Sequence, residues 1–173
     1  AAEREQVGRL FAGLARDTDR LVERIRRQAL EETRRQTYQA MEALIANLNT
    51  MNSRAGAQTP FSSINYGTDT RPEARMAMRC LLEATEAGLG GGETAIFPIQ
   101  IFRVQKGVNL NPGDPNYDLF RLACRVSAKR LFPNFSFQDA PFNAEFYRPG
   151  HPETEIAYMG CRTRVMSNVH DPS

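Results

Sequence analysis

Apolar residues in the first fifty positions recur in steps of three and four. Val7, Leu10, Phe11, Leu14, Leu21, Val22 and Ile25 are followed by Met41, Leu44, Ile45, Leu48 and Met51. That spacing predicts an amphipathic helix. No proline interrupts residues 3–54, and only Gly8 and Gly13 appear among them. The charged stretch ERIRRQALEETRRQ either continues one helix or holds a break between two. Glu31 stands three and four residues before Arg34 and Arg35, and Glu32 three before Arg35, the spacing of helical ion pairs worth a few tenths of a kcal/mol each. Such a face reads as solvated, or as a surface for a partner, because this much helix needs something to pack on.

Beyond Arg54 the pattern changes. Gly56 suits a helix end. QTPFSSINYG reads as a strand. Thr70 and Pro72 mark a helix start, and ARMAMRCLLEATEAG carries the helix to Gly88. AIFPIQIFRV reads as a second strand. GVNLNPGDPNYD is turn chemistry. YDLFRLACRVSAKRLF is a third helix, with Lys129 and Arg130 in its last turn, where they suit the dipole. PNFSFQDAPFN reads as a third strand, and EIAYMGCRTRVMSNV closes the chain. Strands alternating with helices imply parallel strands joined by crossovers. So few strands make a poor complete domain, so a portion of a larger α/β protein is expected.

Composition changes this picture little. The 173 residues are 41% hydrophobic and 24% charged, with net charge +2, which excludes a wholly disordered chain. The basic residues near the N-terminus alternate with acidic ones and lack aromatic stacking partners, so nucleic acid is not expected. No apolar run is long enough to span a membrane. The N-terminus has no signal-peptide pattern. Three cysteines argue against a disulfide framework, and a cytoplasmic, reducing setting follows as the default.

Chemistry has few places to sit. In GLGGGET a helix precedes the glycines and a strand follows, the reverse of a phosphate-binding loop, so a connecting turn is expected. Cys80 and Cys124 lie among apolar helical residues and read as core. Cys161 follows Tyr158-Met159-Gly160 in an expected loop. Arg162 and Arg164 beside it could lower its pKa, and Gly160 permits unusual backbone angles. The cysteine spacings match no zinc pattern. His151 and His170 read as surface loop residues.

Several segments, in order, resemble blocks of the anaerobic, class III ribonucleoside-triphosphate reductases. They are MEALIANLNTMNSRAGAQTPFSSINYGTDTRPEARM, LLEATEAGLGGGETAIFPIQIFRV, GVNLNPGDPNYDLFRLACRVSAKRLFPNFSF and AYMGCRTRV. The resemblance spans roughly residues 37 to 173. It implies an α/β fold, a portion of a ten-stranded barrel preceded by a helical region, divided as 1–54 and 55–173. It implies reduction of ribonucleoside triphosphates to the 2′-deoxy form. A glycyl radical on a segment outside this chain, generated by an iron–sulfur/S-adenosylmethionine activase, would oxidise a cysteine on a finger loop. Cys161 matches that cysteine. A structural zinc is expected in a C-terminal region absent here, so no metal falls to these residues. A second cysteine is expected upstream of Ala1. The fragment alone is expected to be inactive. The resemblance further implies a homodimer and nucleotide effectors (ATP and deoxynucleoside triphosphates). Residues 15–53 are the candidate surface for both, with Arg34 and Arg35 as phosphate contacts. Ser62, Ser63 and Asn65 are candidates to meet substrate, or are structural hydrogen-bonding residues. Two alternatives stay open: another glycyl radical enzyme, and a noncatalytic nucleotide-binding or interaction module.

Overall fold

A computed structural model describes residues 2–51, 58–148, 150–160 and 163–165. In packing, the chain divides into residues 1–36 and 37–173. The N-terminal helix is unbroken: α1 runs from Ala2 to Thr50. Its charged middle forms the turn-spaced ion pair that the sequence offers, between Glu32 and Arg35. The Arg35 guanidinium donates to both carboxylate oxygens at 2.9 and 2.6 Å. These bonds, with one from Gln36, hold the Glu32 carboxyl down at about 2.

In residues 37–173 the strands β1 (Ser63–Tyr66), β2 (Ile99–Val104) and β3 (Asn134–Phe137) form one parallel sheet in the order β1-β2-β3. Asn65 registers with Ile101, and Arg103 with Ser136. The crossovers carry α2 (Pro72–Ala87) and α3 (Tyr117–Arg130). The expected third strand is shorter than its sequence stretch: after Phe137 the chain turns into a short α4, Pro141–Ala144. A 3-10 turn, Pro152–Thr154, leads to an antiparallel hairpin of β4 (Ala157–Met159) and β5 (Thr163–Val165).

Side chains alternate across a strand, so the sheet has two distinct faces. Ile64, Tyr66, Phe102, Val104 and Phe135 face α2 and α3, where Leu82, Leu119, Leu122 and Val126 complete the core. Phe102 is fully buried and meets Tyr66 edge-on at 5.5 Å between ring centroids. Burying one such ring contributes about 1.5–3 kcal/mol. One polar chain crosses this core. The Tyr66 hydroxyl donates to Gln100 Oε1 at 2.7 Å, and Gln100 Nε2 donates to Thr85 Oγ1 at 2.7 Å. Burial pushes the Tyr66 hydroxyl up, so it stays a donor.

Two helix boundaries differ from expectation. Arg71, not Thr70, precedes α2, and Pro72 occupies its first turn. The Asp69 carboxylate accepts from the Arg71 amide at 3.0 Å and also pairs with its guanidinium, and no side chain caps the first turn of α2. α3 ends at Arg130, two residues short of the expected Phe132, with Leu131 beyond it in the left-handed region. Cys80 is buried as expected, whereas Cys124 is exposed. The reason is helical phase. α3 buries Leu119, Leu122, Ala123 and Val126, and a residue one step beyond Ala123 turns about 100° away from that stripe.

The glycine turn after α2 is structural, as its order of elements suggests. Gly88 caps α2, its amide donating to Ala84 O. Arg130, from the last turn of α3, donates to Glu86 O at 2.9 Å, Ala87 O at 2.8 Å and Gly92 O at 2.7 Å. It thereby satisfies the carbonyls that a helix end leaves unpaired.

Candidate functional site

The other face of the sheet carries Ser63 and Asn65 from β1, Ile99, Ile101 and Arg103 from β2, and Asn134 and Ser136 from β3. Gln138 continues that series beyond β3. Residues 155–160 run antiparallel to β1 across this face. Thr68, just past β1, donates to Glu155 Oε2 at 2.9 Å. Asn65 bonds to Tyr158. Phe61, before β1, lies against Gly160. The segment therefore enters at the C-terminal end of β1 and leaves at its N-terminal end.

Three sets of contacts hold it. At the entrance, Arg103 pairs with Glu155 at 2.5 Å, both side chains being mostly buried. In the middle, two side-chain amides take over the work of a neighbouring strand. The Ile156 amide donates to Gln138 Oε1 at 3.0 Å, and Gln138 Nε2 donates back to Ile156 O at 3.3 Å. The Tyr158 amide donates to Asn65 Oδ1 at 2.8 Å, and Asn65 Nδ2 donates back to Tyr158 O at 2.8 Å. At the exit, Gly160 is buried with φ +65, and a Cβ there would stand 3.0 Å from the Phe61 ring. The backbone angle selects glycine at this position.

The end of β1 is fixed by buried asparagines from the turn GVNLNPGDPNYD. Asn109 and Asn116 are both fully buried, and both donate to Gly67 O at 3.0 Å. Asn116 also donates to Asp69 O at 2.8 Å and accepts from Arg75. A Cβ on Gly67 would collide with Arg103 O at 2.5 Å, so β1 and β2 approach here as only glycine permits.

The sequence-derived candidates separate. Cys161 lies outside the described residues. Its neighbours Met159 and Thr163 are paired across the hairpin. Asn65 faces the hairpin, its amide engaged with Tyr158. Ser62 accepts the Ile99 amide at its carbonyl, while its Oγ is buried with no hydrogen-bond partner among the described residues. Arg34 and Arg35 sit in α1, within residues 1–36, and Ser62, Ser63 and Asn65 in residues 37–173. His151 is exposed and bonds Glu153 at 2.8 Å; His170 lies outside the described residues. Among the described residues no cluster of three or more Cys, His, Asp or Glu could hold a metal, and no helix is long and apolar enough to cross a membrane. A cavity of about 320 Å³ borders Asn65 and Arg103, with Ile64, Ala77 and Met78 in its wall. Its one basic group is Arg103, already paired with Glu155, which suits it poorly to a triphosphate.

Sequence reasoning missed Gln138, Arg103, Glu155, Asn109 and Asn116. For Arg103 and Gln138 the available signal was a polar residue at alternate positions along and just beyond the strands, whereas Asn109, Asn116 and Glu155 lie outside the strands and carry no such signal.

The geometry defines a class: a parallel α/β sheet that buries one face under helices and receives on the other a segment leading into an antiparallel hairpin. Residues 7–172 match the family described as anaerobic ribonucleoside-triphosphate reductase. The chain is 37% identical over 136 residues to the anaerobic ribonucleoside-triphosphate reductase of Enterobacteria phage T4, covering 78% of this chain and 22% of that protein. It is 33% identical over 138 residues to the Escherichia coli protein of the same name, with 78% and 18% covered. With the Haemophilus influenzae protein of that name it shares 32% over 132 residues, with 75% and 17% covered. The chain belongs to the anaerobic ribonucleoside-triphosphate reductase family and spans about a fifth of the length of these relatives.

Proposed function

We propose that this chain is the part of a cytoplasmic ribonucleoside-triphosphate reductase that delivers the hydrogen-abstracting cysteine, and that Cys161 is that cysteine. The observation that carries the reading is the seating of residues 155–160 on the polar face of the sheet, directly before Cys161 in the motif MGCR. In this family a glycyl radical on another segment, formed by an iron–sulfur/S-adenosylmethionine activase, would take the thiol's hydrogen atom, the S–H bond breaking as a C–H bond forms at that glycine and leaving the unpaired electron on sulfur. The Cys161 sulfur then takes the hydrogen atom from C3′ of the ribose. An S–H bond forms, a C–H bond breaks, and the unpaired electron passes to the sugar. A thiol suits this step because the S–H bond can re-form and break again. The role of the chain is to hold the sulfur at a fixed depth and keep water away, which protects a reactive intermediate.

The sheet is the part of a ten-stranded barrel represented here. Its β1 and β3 edges are bare among the described residues, as they would be where further strands continue the sheet. Of the three candidate substrate contacts, Ser63 stands on the hairpin-side face beside Asn65. Ser62 brings a buried hydroxyl without a hydrogen-bond partner among the described residues.

Residues 15–53 form the dimer and effector surface. Val22, Ile25, Leu30 and Leu44 are exposed there, as suits a helix awaiting a partner. Arg34 and Arg35 face effector phosphates, for which Arg35 would exchange its bond to Glu32. A structural zinc belongs to a region outside these residues.

Cys161→Ala in the full-length reductase tests the assignment. After anaerobic activation the glycyl-radical electron spin signal forms as in wild type, and deoxynucleotide formation falls to background. Retained turnover overturns the role of Cys161. For the helical surface, reversing both charges with Arg34→Glu and Arg35→Glu weakens effector binding about tenfold or more, roughly the worth of one charged hydrogen-bonded contact. Unchanged effector affinity removes that assignment.

A further inference from the structure

We infer that Asn65 and Gln138 are positioning residues that set the depth of the Cys161 hairpin, an inference that rests on the assignment of Cys161 above. Both stand on the polar face of the sheet, Asn65 in β1 and Gln138 one residue beyond β3. Each presents a carboxamide, one acceptor and one donor in a plane, to the N–H and C=O of a single hairpin residue. That is the pairing a neighbouring strand would offer to a hydrogen-bonded residue of an antiparallel ladder. The residues held, Ile156 and Tyr158, are two apart, so both amides grip the same edge of the segment. The opposite edge of β4 is left to β5, whose register pairs Ala157 with Val165 and Met159 with Thr163.

This arrangement differs from a strand in one respect. A strand offers a repeating ladder on which a segment can slip by two residues and recover its hydrogen bonds. Two discrete amides with polar contacts at both ends offer a single register. A one-residue slip would turn the wrong backbone edge toward Asn65 and Gln138. A two-residue slip would move the turn about 6.6 Å along the sheet and part Glu155 from Arg103 and Thr68. Gln138 is fully buried and also donates to Ser136 Oγ at 3.1 Å, which fixes its own rotamer. Among the described residues, Arg103 pairs with Glu155 of the segment, and Arg164 of β5 stands across from Tyr158. Register along this face decides how far the turn reaches, and hydrogen-atom transfer depends on that reach.

The test uses the full-length reductase with Asn65→Leu, Gln138→Leu and the milder Asn65→Asp, each activated anaerobically beside Cys161→Ala. Asn65→Leu keeps the volume and removes both hydrogen bonds. Asn65→Asp keeps the acceptor for the Tyr158 amide and sets a carboxylate against Tyr158 O. The expected result for the Leu variants is a kcat lower by about 10²-fold, the usual cost of a misplacement near 1 Å. KM and the yield of glycyl radical stay within about twofold. Asn65→Asp falls between wild type and Asn65→Leu. Three outcomes overturn the inference. A raised KM with little change in kcat makes Asn65 a substrate contact. Loss of the radical signal in all three variants makes the amides general structural residues. Wild-type kinetics make the hydrogen bonds irrelevant to reach. If Cys161→Ala retains turnover, the assignment of the cysteine fails instead, and the two failures are told apart in one set of assays.

Discussion

The two faces of one small sheet follow different rules. The helix-side face is filled by Tyr66, Phe102, Val104 and Phe135, and its energy is spread over many apolar contacts. The hairpin-side face is held by a few directional contacts from Asn65, Arg103 and Gln138. Apolar packing is non-directional and tolerates small shifts. Hydrogen bonds made by planar amides do not. The difference assigns stability to one face and position to the other.

Phe102→Ala strikes the first face and should have the largest effect. Truncating a buried aromatic costs about 3–5 kcal/mol. Denaturant unfolding of the full-length protein should show that loss. In the same measurement Asn65→Leu should cost about 1–3 kcal/mol, the range for leaving buried backbone groups unpaired. A larger stability loss from Asn65→Leu than from Phe102→Ala would break the division between faces.

The smallest expected effect lies outside both faces. Glu86 in α2 accepts from the Arg125 guanidinium of α3 at 3.0 and 2.7 Å, and this bonding holds its carboxyl below the usual range. A carboxylate with a lowered folded pKa adds stability above its unfolded value, and that stability is lost as pH falls through the folded value. The contribution should therefore be whole at neutral pH and fade below about pH 4.5. Arg125 is largely exposed, so Glu86→Gln should cost no more than about 1 kcal/mol at pH 7. It should also flatten that part of the pH dependence. Unfolding midpoints for wild type and Glu86→Gln at pH 7 and pH 3.5 check both statements.

The helix-side face was legible in the sequence because its information is local. Steps of three and four in ARMAMRCLLEATEAG and YDLFRLACRVSAKRLF mark α2 and α3, and short runs rich in Ile and Phe mark the strands. Cys124 shows where local reading fails. It sits in an apolar neighbourhood, yet one helical step separates it from the buried stripe. The hairpin-side face was less legible because its partners are far apart. Asn65 and Tyr158 are 93 positions apart, and Gln138 and Ile156 are 18 apart. The residue types Asn and Gln fit a substrate contact and a structural amide equally well. The family resemblance led to Cys161 in MGCR, but it did not say what holds the loop that carries it.

Backbone amide exchange at single-residue resolution in the full-length reductase tests the central claim, that this segment is pinned on the polar face by side-chain amides. The Ile156 and Tyr158 amides, which bond to no strand, should exchange slowly in wild type. Asn65→Leu should release Tyr158 by about tenfold or more, the change equivalent to one net hydrogen bond, and leave the amides of β2 as they were. Fast exchange of both amides in wild type, or an unchanged Tyr158 in the variant, would contradict the account.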